Sequence, residues 1–195
     1  TTFLKQDPSD VPEGQTLYEY AKAQIMEQYG VDMLDQLVIN NTYCIAVPQS
    51  IADQYGLETI SDLIPVAGEL RFGAEHEFFT EEGTMKYTPF TQFYGLNFKE
   101  KIPVDINLKY AAVENDNFDV TVVYTTDGLN RKANLKVLED DQNFFPEYNG
   151  ALLVREGLYD ELADAAPNLK DVLNSLSGTL TNEKMTDLTY AVDVE

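Results

Sequence analysis

Short runs rich in β-branched and aromatic residues alternate along the chain with segments whose apolar residues recur at helical spacing. The β-rich runs are typical of strands; they are TYCIAVP (42–48), ELRFGAE (69–75), IPVDIN (102–107), FDVTVVY (118–124), LKVLED (135–140) and GALLVRE (150–156). The helical spacing predicts helices at 16–30, 32–37, 50–56, 59–65, 84–95, 108–117 and 127–134, and three more between 157 and 192. This alternation predicts an α/β fold built on a mostly parallel sheet.

Polar residues and glycine mark the ends of several predicted helices. Thr16 precedes the first apolar helical segment and Glu19 follows three residues later, which is the spacing of a capping box. Gly30 ends the same segment. Asp127 precedes a short helical segment, where its carboxylate would cap the helix.

The charge of the chain excludes one large class of partners. Its 195 residues carry 13 Lys and Arg against 34 Asp and Glu, a formal net charge of −21. Nucleic-acid phosphates require a basic face, so we expect no nucleic-acid partner. With 44% hydrophobic residues the chain has enough apolar side chains for a sizeable core.

The residues that usually carry chemistry are scarce. The chain has one histidine, His76, and one cysteine, Cys44, and no glycine-rich phosphate loop. One His and one Cys do not make a zinc site, and carboxylate pairs carry little information in so acidic a chain. Cys44 lies in an apolar strand-like run, which predicts a buried thiol. We therefore expect no catalytic residues, no metal, no cofactor and no enzyme activity, although an acidic hydrolase with a carboxylate pair stays open as an alternative.

Aromatic residues are the most informative feature that remains. There are 12 Tyr and 10 Phe but no Trp. Tyrosines gathered around one point attract a quaternary ammonium group by about 0.5 to 2 kcal/mol per ring. Tyr43, Tyr124 and Tyr148 lie in or just beyond predicted strands, where ligands of open α/β sheets bind. Their spacing alone fits ordinary core or rim tyrosines equally well.

A resemblance favours the ligand-binding interpretation. The stretches NNTYCIAV (40–47), FDVTVVYTTDG (118–128), LKVLEDDQNFFPEYNGALLVRE (135–156) and LTNEKMTDLTYAVDVE (180–195), with YEYAKAQIMEQYG and FYGLNF, occur in one order over nearly the whole chain. Together they resemble the substrate-binding proteins of ABC importers for glycine betaine, carnitine, choline and related osmoprotectants. The resemblance implies a cage formed by Tyr43, Tyr124 and Tyr148 around the ligand's trimethylammonium head. The candidate polar contacts are Asn41, Thr126, Asp127 and Arg131; Asp127 as a helix cap and Arg131 as a surface cation are the alternative roles.

The resemblance also implies an architecture. It is a two-lobe fold of the periplasmic-binding-protein type (type II), with residues 50–140 as the second lobe and residues 1–49 and 141–195 as an incomplete first lobe. Members of the family begin earlier, so about 60 or more residues of the first lobe, the size of two βα units, are expected to be absent. The exposed sheet edge that this leaves predicts pairing with a second copy of the chain.

The implied function is capture of a small quaternary-ammonium solute and its delivery to an ABC permease in the membrane. The implied location is extracytoplasmic, by a lipid anchor or by fusion to the permease. The sequence leaves the identity of the amine open. A bulkier betaine such as ergothioneine, with its extra volume near His76, and a ligand-sensing extracellular domain are the alternatives.

Overall fold

The computed structural model describes residues 4, 10–80 and 83–194. Within these ranges the α-helices are α1 (Leu17–Tyr29), α2 (Gln49–Tyr55), α3 (Tyr87–Tyr94), α4 (Lys109–Glu114), α5 (Leu129–Lys132), α6 (Leu158–Glu161), α7 (Leu169–Asn174) and α8 (Asn182–Asp193), and the segments Ile60–Leu63, Ala67–Glu69 and His76–Phe78 form short 3-10 helices. The strands in the same ranges are β1 (Val31–Asn40), β2 (Tyr43–Pro48), β3 (Arg71–Glu75), β4 (Glu100–Val104), β5 (Val120–Tyr124), β6 (Leu135–Val137) and β7 (Asn149–Arg155). The α/β class is confirmed.

The chain forms two compact units. Among the described residues, the smaller one contains those up to Ile39 together with Asn149–Thr181, and the larger one contains those of Asn40–Tyr148 and those from Asn182 onward. These boundaries differ from the predicted ones at 49/50 and 140/141. The reason is that β2 is hydrogen-bonded into the sheet of the larger unit, so the residues just after Ile39 already belong there.

The smaller unit is built on α1 and, within the described residues, a two-stranded sheet of β1 and β7. The capping box is confirmed: the Glu19 backbone N–H donates to Thr16 Oγ1 at 3.2 Å and the Thr16 N–H donates to the Glu19 carboxylate at 2.8 Å. The helix predicted at 32–37 is wrong, because these residues lie in β1. Leu34, Leu37 and Ile39 are buried there, and pairing with β7 outweighs a helical spacing that extends over only six residues.

The larger unit contains, among the described residues, a five-stranded sheet in the order β4-β3-β5-β2-β6. Strand β3 is parallel to both β4 and β5, whereas β2 is antiparallel to both β5 and β6. Four of these five strands, β3, β4, β5 and β6, therefore run in one direction and β2 runs against them, so the sheet is mixed and the predicted mostly parallel arrangement holds except at β2. Strands β5 and β6 are parallel to each other, because both run antiparallel to β2. The alternating pattern predicted β2 as a strand, but not that it pairs between β5 and β6 in the opposite direction.

The core of the larger unit is rich in phenylalanine. Phe72, Phe78 and Phe90 are fully buried in one cluster with apolar residues of β2, β3 and β5. On the other side of β3, a Cβ at Gly73 would lie 2.2 Å from the ring of Phe118, so only glycine permits this contact. The close packing fixes β3 and, through it, the neighbouring strand ends.

Within the described part of the chain, no helix has the length and apolar composition needed to cross a lipid bilayer.

Candidate functional site

A stacked tyrosine pair forms at one end of the sheet of the larger unit. Tyr43 begins β2 and Tyr124 ends β5, and the antiparallel register places them directly opposite each other. Their ring centroids are 4.9 Å apart with an interplanar angle of 26°. The Tyr124 hydroxyl donates to the Tyr43 hydroxyl oxygen at 3.3 Å. The strand pairing thus explains why two residues 81 positions apart form one aromatic surface.

Tyr148 joins this pair at a cavity of about 280 Å³. Its side chain is 67% exposed, on the irregular segment that precedes β7. The lining residues are Asn41, Thr42, Tyr43, Met85, Tyr124 and Tyr148. The structure therefore brings together all three tyrosines of the predicted cage and one of the four predicted polar contacts. Among the residues that the structure describes, no lysine or arginine lines this cavity.

The surroundings of Tyr43 keep its phenol neutral. Its ring packs edge-on against Phe78 and Phe145, at centroid distances of 5.8 and 6.3 Å. Burial raises the pKa of Tyr43 well above its usual value of 10. The ring therefore presents an uncharged π face at physiological pH, the form that attracts cations through its quadrupole.

A second cavity of about 260 Å³ shares Asn41 and Tyr124 with the first; its lining residues are Asn41, Tyr124, Thr126, Asp127, Leu129, Thr189 and Asp193. Thr126 is buried and its hydroxyl donates to Asn41 Oδ1 at 2.9 Å. One carboxylate oxygen of Asp127 accepts from the Leu129 N–H at 2.9 Å, and the other accepts from the Tyr110 hydroxyl. The N-cap of α5 is Gly128 and not the predicted Asp127, which lies one residue earlier and accepts from the first N–H of the helix at the edge of this cavity.

Arg131 is the predicted contact that lies apart from both cavities. Its guanidinium pairs with Asp187 at 2.9 Å and lies 5.5 Å from the centroid of the Tyr190 ring, both on α8. The side chain is about half exposed. In this arrangement Arg131 connects α5 to α8.

A buried ion pair joins α4 to the sheet of the larger unit. Lys109 is 2% exposed, and its Nζ contacts Glu75 Oε2 at 3.3 Å and the Val122 carbonyl at 2.9 Å. Glu75 ends β3 and Val122 is in β5, so one lysine connects two parallel strands close to where they end. Sequence reasoning missed this pair, because a lysine at the first position of a short helix gives no sign of burial.

His76 lies at a third, more open cavity of about 490 Å³. Glu77 and residues 103–106 also line this cavity. Both His76 and Glu77 are exposed. Within the described ranges no cluster of three or more His, Cys, Asp or Glu side chains is arranged to hold a metal ion. Cys44 is buried as predicted, and burial raises the pKa of its thiol to about 12.

Other lining residues were also not predicted from the sequence. They are Thr42 and Met85 at the first cavity, and Leu129, Thr189 and Asp193 at the second. Thr42 directly precedes Tyr43, so adjacency to a motif tyrosine was an available signal. Met85 and the two α8 residues come from distant parts of the chain, and no local pattern brings them to Tyr124.

The comparisons with known proteins agree on one family. The model of the OpuAC family, the substrate binding domain of the ABC-type glycine betaine transport system, matches residues 11–195. The carnitine transport binding protein OpuCC of Listeria monocytogenes is 36% identical over 167 residues, which are 86% of this chain and 53% of that protein. The ergothioneine transport permease/ergothioneine binding protein EgtU of Helicobacter pylori is 32% identical over 177 residues, which are 91% of this chain and 31% of that protein.

A solved structure supports the same relationship. The crystal structure of a glycine betaine/carnitine/choline ABC transporter superposes with a TM-score of 0.80 at 31% identity, covering 98% of this chain and 67% of that one. The chain thus spans about half the length of OpuCC and about a third of EgtU. The resemblance inferred from the sequence motifs is confirmed: the chain belongs to the OpuAC family of substrate-binding domains of ABC-type glycine betaine transport systems.

Proposed function

We propose that this chain binds a small quaternary-ammonium solute, such as glycine betaine, choline or carnitine, against Tyr43, Tyr124 and Tyr148. The observation that carries the proposal is the stacked pair of Tyr43 and Tyr124 at a cavity that Tyr148 also lines. A quaternary ammonium group is weakly hydrated and has no N–H to donate, so aromatic faces suit it better than carboxylates do. Three rings at about 0.5 to 2 kcal/mol each would contribute about 1.5 to 6 kcal/mol of binding free energy.

The polar residues beside the rings would orient the rest of the solute. Asn41 lines both cavities, and its position is held by Thr126. Asp127 lines the second cavity. Arg131 would reach a ligand only by leaving Asp187, so among the predicted contacts it contributes least to the proposal.

The biological role that follows is reversible binding of the solute, with no covalent reaction. The solute would be delivered to an ABC permease on the extracytoplasmic side of the membrane, with the domain held there by a lipid anchor or by fusion to the permease. Pairing of two copies of the chain remains part of this proposal. Family membership, and the carnitine and ergothioneine transport for which OpuCC and EgtU are named, support the transport role.

Isothermal titration calorimetry tests the binding. The chain is titrated with glycine betaine, choline and carnitine, and the titrations are repeated with Tyr124→Ala and with the matched variant Tyr124→Phe. We expect one of the solutes to bind, Tyr124→Ala to lose most of the affinity, and Tyr124→Phe to retain it because the ring remains. Equal affinity of wild type and Tyr124→Ala would refute the aromatic site.

Ergothioneine is the second candidate solute. The relative EgtU, named for ergothioneine binding, matches 91% of this chain. Ergothioneine carries the same trimethylammonium group and would bring it to the same rings. A further titration with ergothioneine separates the candidates: tighter binding than any of the three smaller solutes would make it the preferred substrate.

A further inference from the structure

Three residues of the larger unit adjoin the smaller unit along the chain. They are Asn40, Tyr148 and Asn182, because the chain passes between the units at 39/40, 148/149 and 181/182. One of the three, Tyr148, is a residue of the aromatic cavity. Asn40 is hydrogen-bonded to both of the others.

The bonds of Asn40 use its side chain and its backbone. Its Oδ1 accepts from the Tyr148 N–H at 2.6 Å. Its backbone N–H donates to Asn182 Oδ1 at 2.7 Å. Its carbonyl oxygen accepts from the Thr125 hydroxyl at 2.5 Å. Thr125 directly follows Tyr124, so one asparagine holds the segments that carry two of the three cavity tyrosines.

The hold on Tyr148 matters because its ring has little other support. The side chain is 67% exposed, whereas Tyr43 packs against Phe78 and Phe145. The Tyr148 backbone is fixed on both sides, since its carbonyl also accepts from the Asn41 N–H at 3.1 Å. Irregular segments are more mobile than the elements they connect, so these backbone bonds restrain a segment whose exposed ring packs little against the core.

We propose that Asn40 is a positioning residue of the aromatic site, whose side-chain oxygen fixes Tyr148 beside the stacked pair of Tyr43 and Tyr124. It does not touch the ligand. Its effect on affinity is exerted through the Tyr148 ring, and this ligand effect rests on the function proposed above. The effect on the position of Tyr148 is independent of any ligand.

The first experiment measures that position without a ligand. The chain has no tryptophan, so Tyr148→Trp introduces a single indole reporter at the site. Time-resolved fluorescence anisotropy is recorded in this background with Asn40 intact, with Asn40→Ala and with Asn40→Asp. We expect Asn40→Ala to shorten the local correlation time and Asn40→Asp, which keeps an acceptor oxygen, to restore it. Unchanged local motion in Asn40→Ala would overturn the proposal.

The second experiment is a double-mutant cycle with tetramethylammonium, the head group alone, as the ligand. With the native Tyr148 present, Asn40→Ala should weaken binding of tetramethylammonium by about 2- to 30-fold, the loss expected for one displaced ring. In the Tyr148→Ala background the same change should weaken binding by less than about twofold. An equal loss in both backgrounds would show a general structural role and overturn the proposal.

A matched control is Asn115→Ala, which likewise removes one hydrogen bond between an asparagine side chain and the backbone: the Asn115 amide, at the C-terminal end of α4 and away from the cavity, donates to the Ala111 carbonyl at 2.7 Å. It should leave both readouts unchanged. The two proposals fail separately. A mobile indole in Asn40→Ala without binding of tetramethylammonium by the wild type would sustain the positioning role and refute the proposed function. Binding of tetramethylammonium by the wild type, with an indole that stays immobile in Asn40→Ala, would support the proposed function and refute the positioning role.

Discussion

Replacing Lys109 with methionine tests the physical account of the sheet of the larger unit. Methionine keeps much of the apolar length of the lysine but removes its charge. The change would leave Glu75, whose side chain is 8% exposed, as a carboxylate without its cation, and the Val122 carbonyl without a donor. Breaking a buried pair on one side costs about 3 to 5 kcal/mol, because an uncompensated charge remains in a poorly solvated place.

That cost is a large fraction of the total stability of a domain, which is about 5 to 15 kcal/mol. With a urea m-value of about 2 kcal/mol/M, the unfolding midpoint should fall by about 1.5 to 2.5 M. The double variant Glu75→Gln/Lys109→Met should regain much of this loss, because neutral groups of similar volume no longer require a buried counter-charge. Urea titrations followed by far-ultraviolet circular dichroism and by tyrosine fluorescence measure both.

The matched control is Lys132→Met, which removes an exposed lysine on α5 and should change the free energy of unfolding by less than about 0.5 kcal/mol. If Lys109→Met costs no more than Lys132→Met, the ion pair does not stabilise the ends of the strands and the reasoning is wrong. If the double variant is as unstable as the single one, the lost stability comes from packing and not from the orphaned carboxylate.

Three further outcomes are expected. Gly128→Ala should lower the free energy of unfolding by about 1 to 3 kcal/mol in chemical denaturation, because the added Cβ would lie 2.4 Å from a backbone nitrogen of α8. The control Gly178→Ala, whose added Cβ would have nothing within 4 Å, should leave the free energy of unfolding unchanged. The Cys44 thiol, buried and with its pKa raised to about 12 by that burial, should resist a disulfide reagent at pH 8 until urea unfolds the chain; rapid native labelling would contradict this. Burial alone would raise the pKa of Asp119, but hydrogen bonds from Arg71 outweigh it and lower the pKa below 3.8. The stabilisation by Asp119 is therefore present above pH 3.8 and lost as the pH falls through the depressed value, so Asp119→Asn should reduce the free energy of unfolding more at pH 7 than at pH 2.

Local patterns predicted most elements of the larger unit, because β-branched runs and helix caps are short-range signals. They failed at β1, where Leu34 and Leu37 are spaced like one face of a helix but are buried in a strand. They also failed on the direction of β2, since hydrophobic alternation is identical in parallel and antiparallel strands. Direction is decided by which strands become neighbours, and this is a property of the whole chain.

The candidate site shows the same division. The motif stretches pointed to Tyr43, Tyr124 and Tyr148, and the structure brings all three to one cavity. Asn40 and Lys109 escaped notice because their roles arise from backbone groups and strands more than ten residues away. A sequence read without its folded neighbours cannot distinguish such residues from ordinary surface polar residues.

The cross-strand register of Tyr43 and Tyr124 has a consequence for how ligand preference could diversify. A shift of one residue in β2 or β5 would turn every side chain to the opposite face of the sheet, so insertions in either strand are excluded if the stack is to survive. Tyr148 sits on an irregular segment, where changes of length and composition are better tolerated. The site therefore has one side, formed by Tyr43 and Tyr124, that tolerates no change of strand length, and another side, formed by Tyr148, that tolerates such changes. Libraries that vary only residues 146–148 would sample new pocket shapes while the sheet beneath them stays intact.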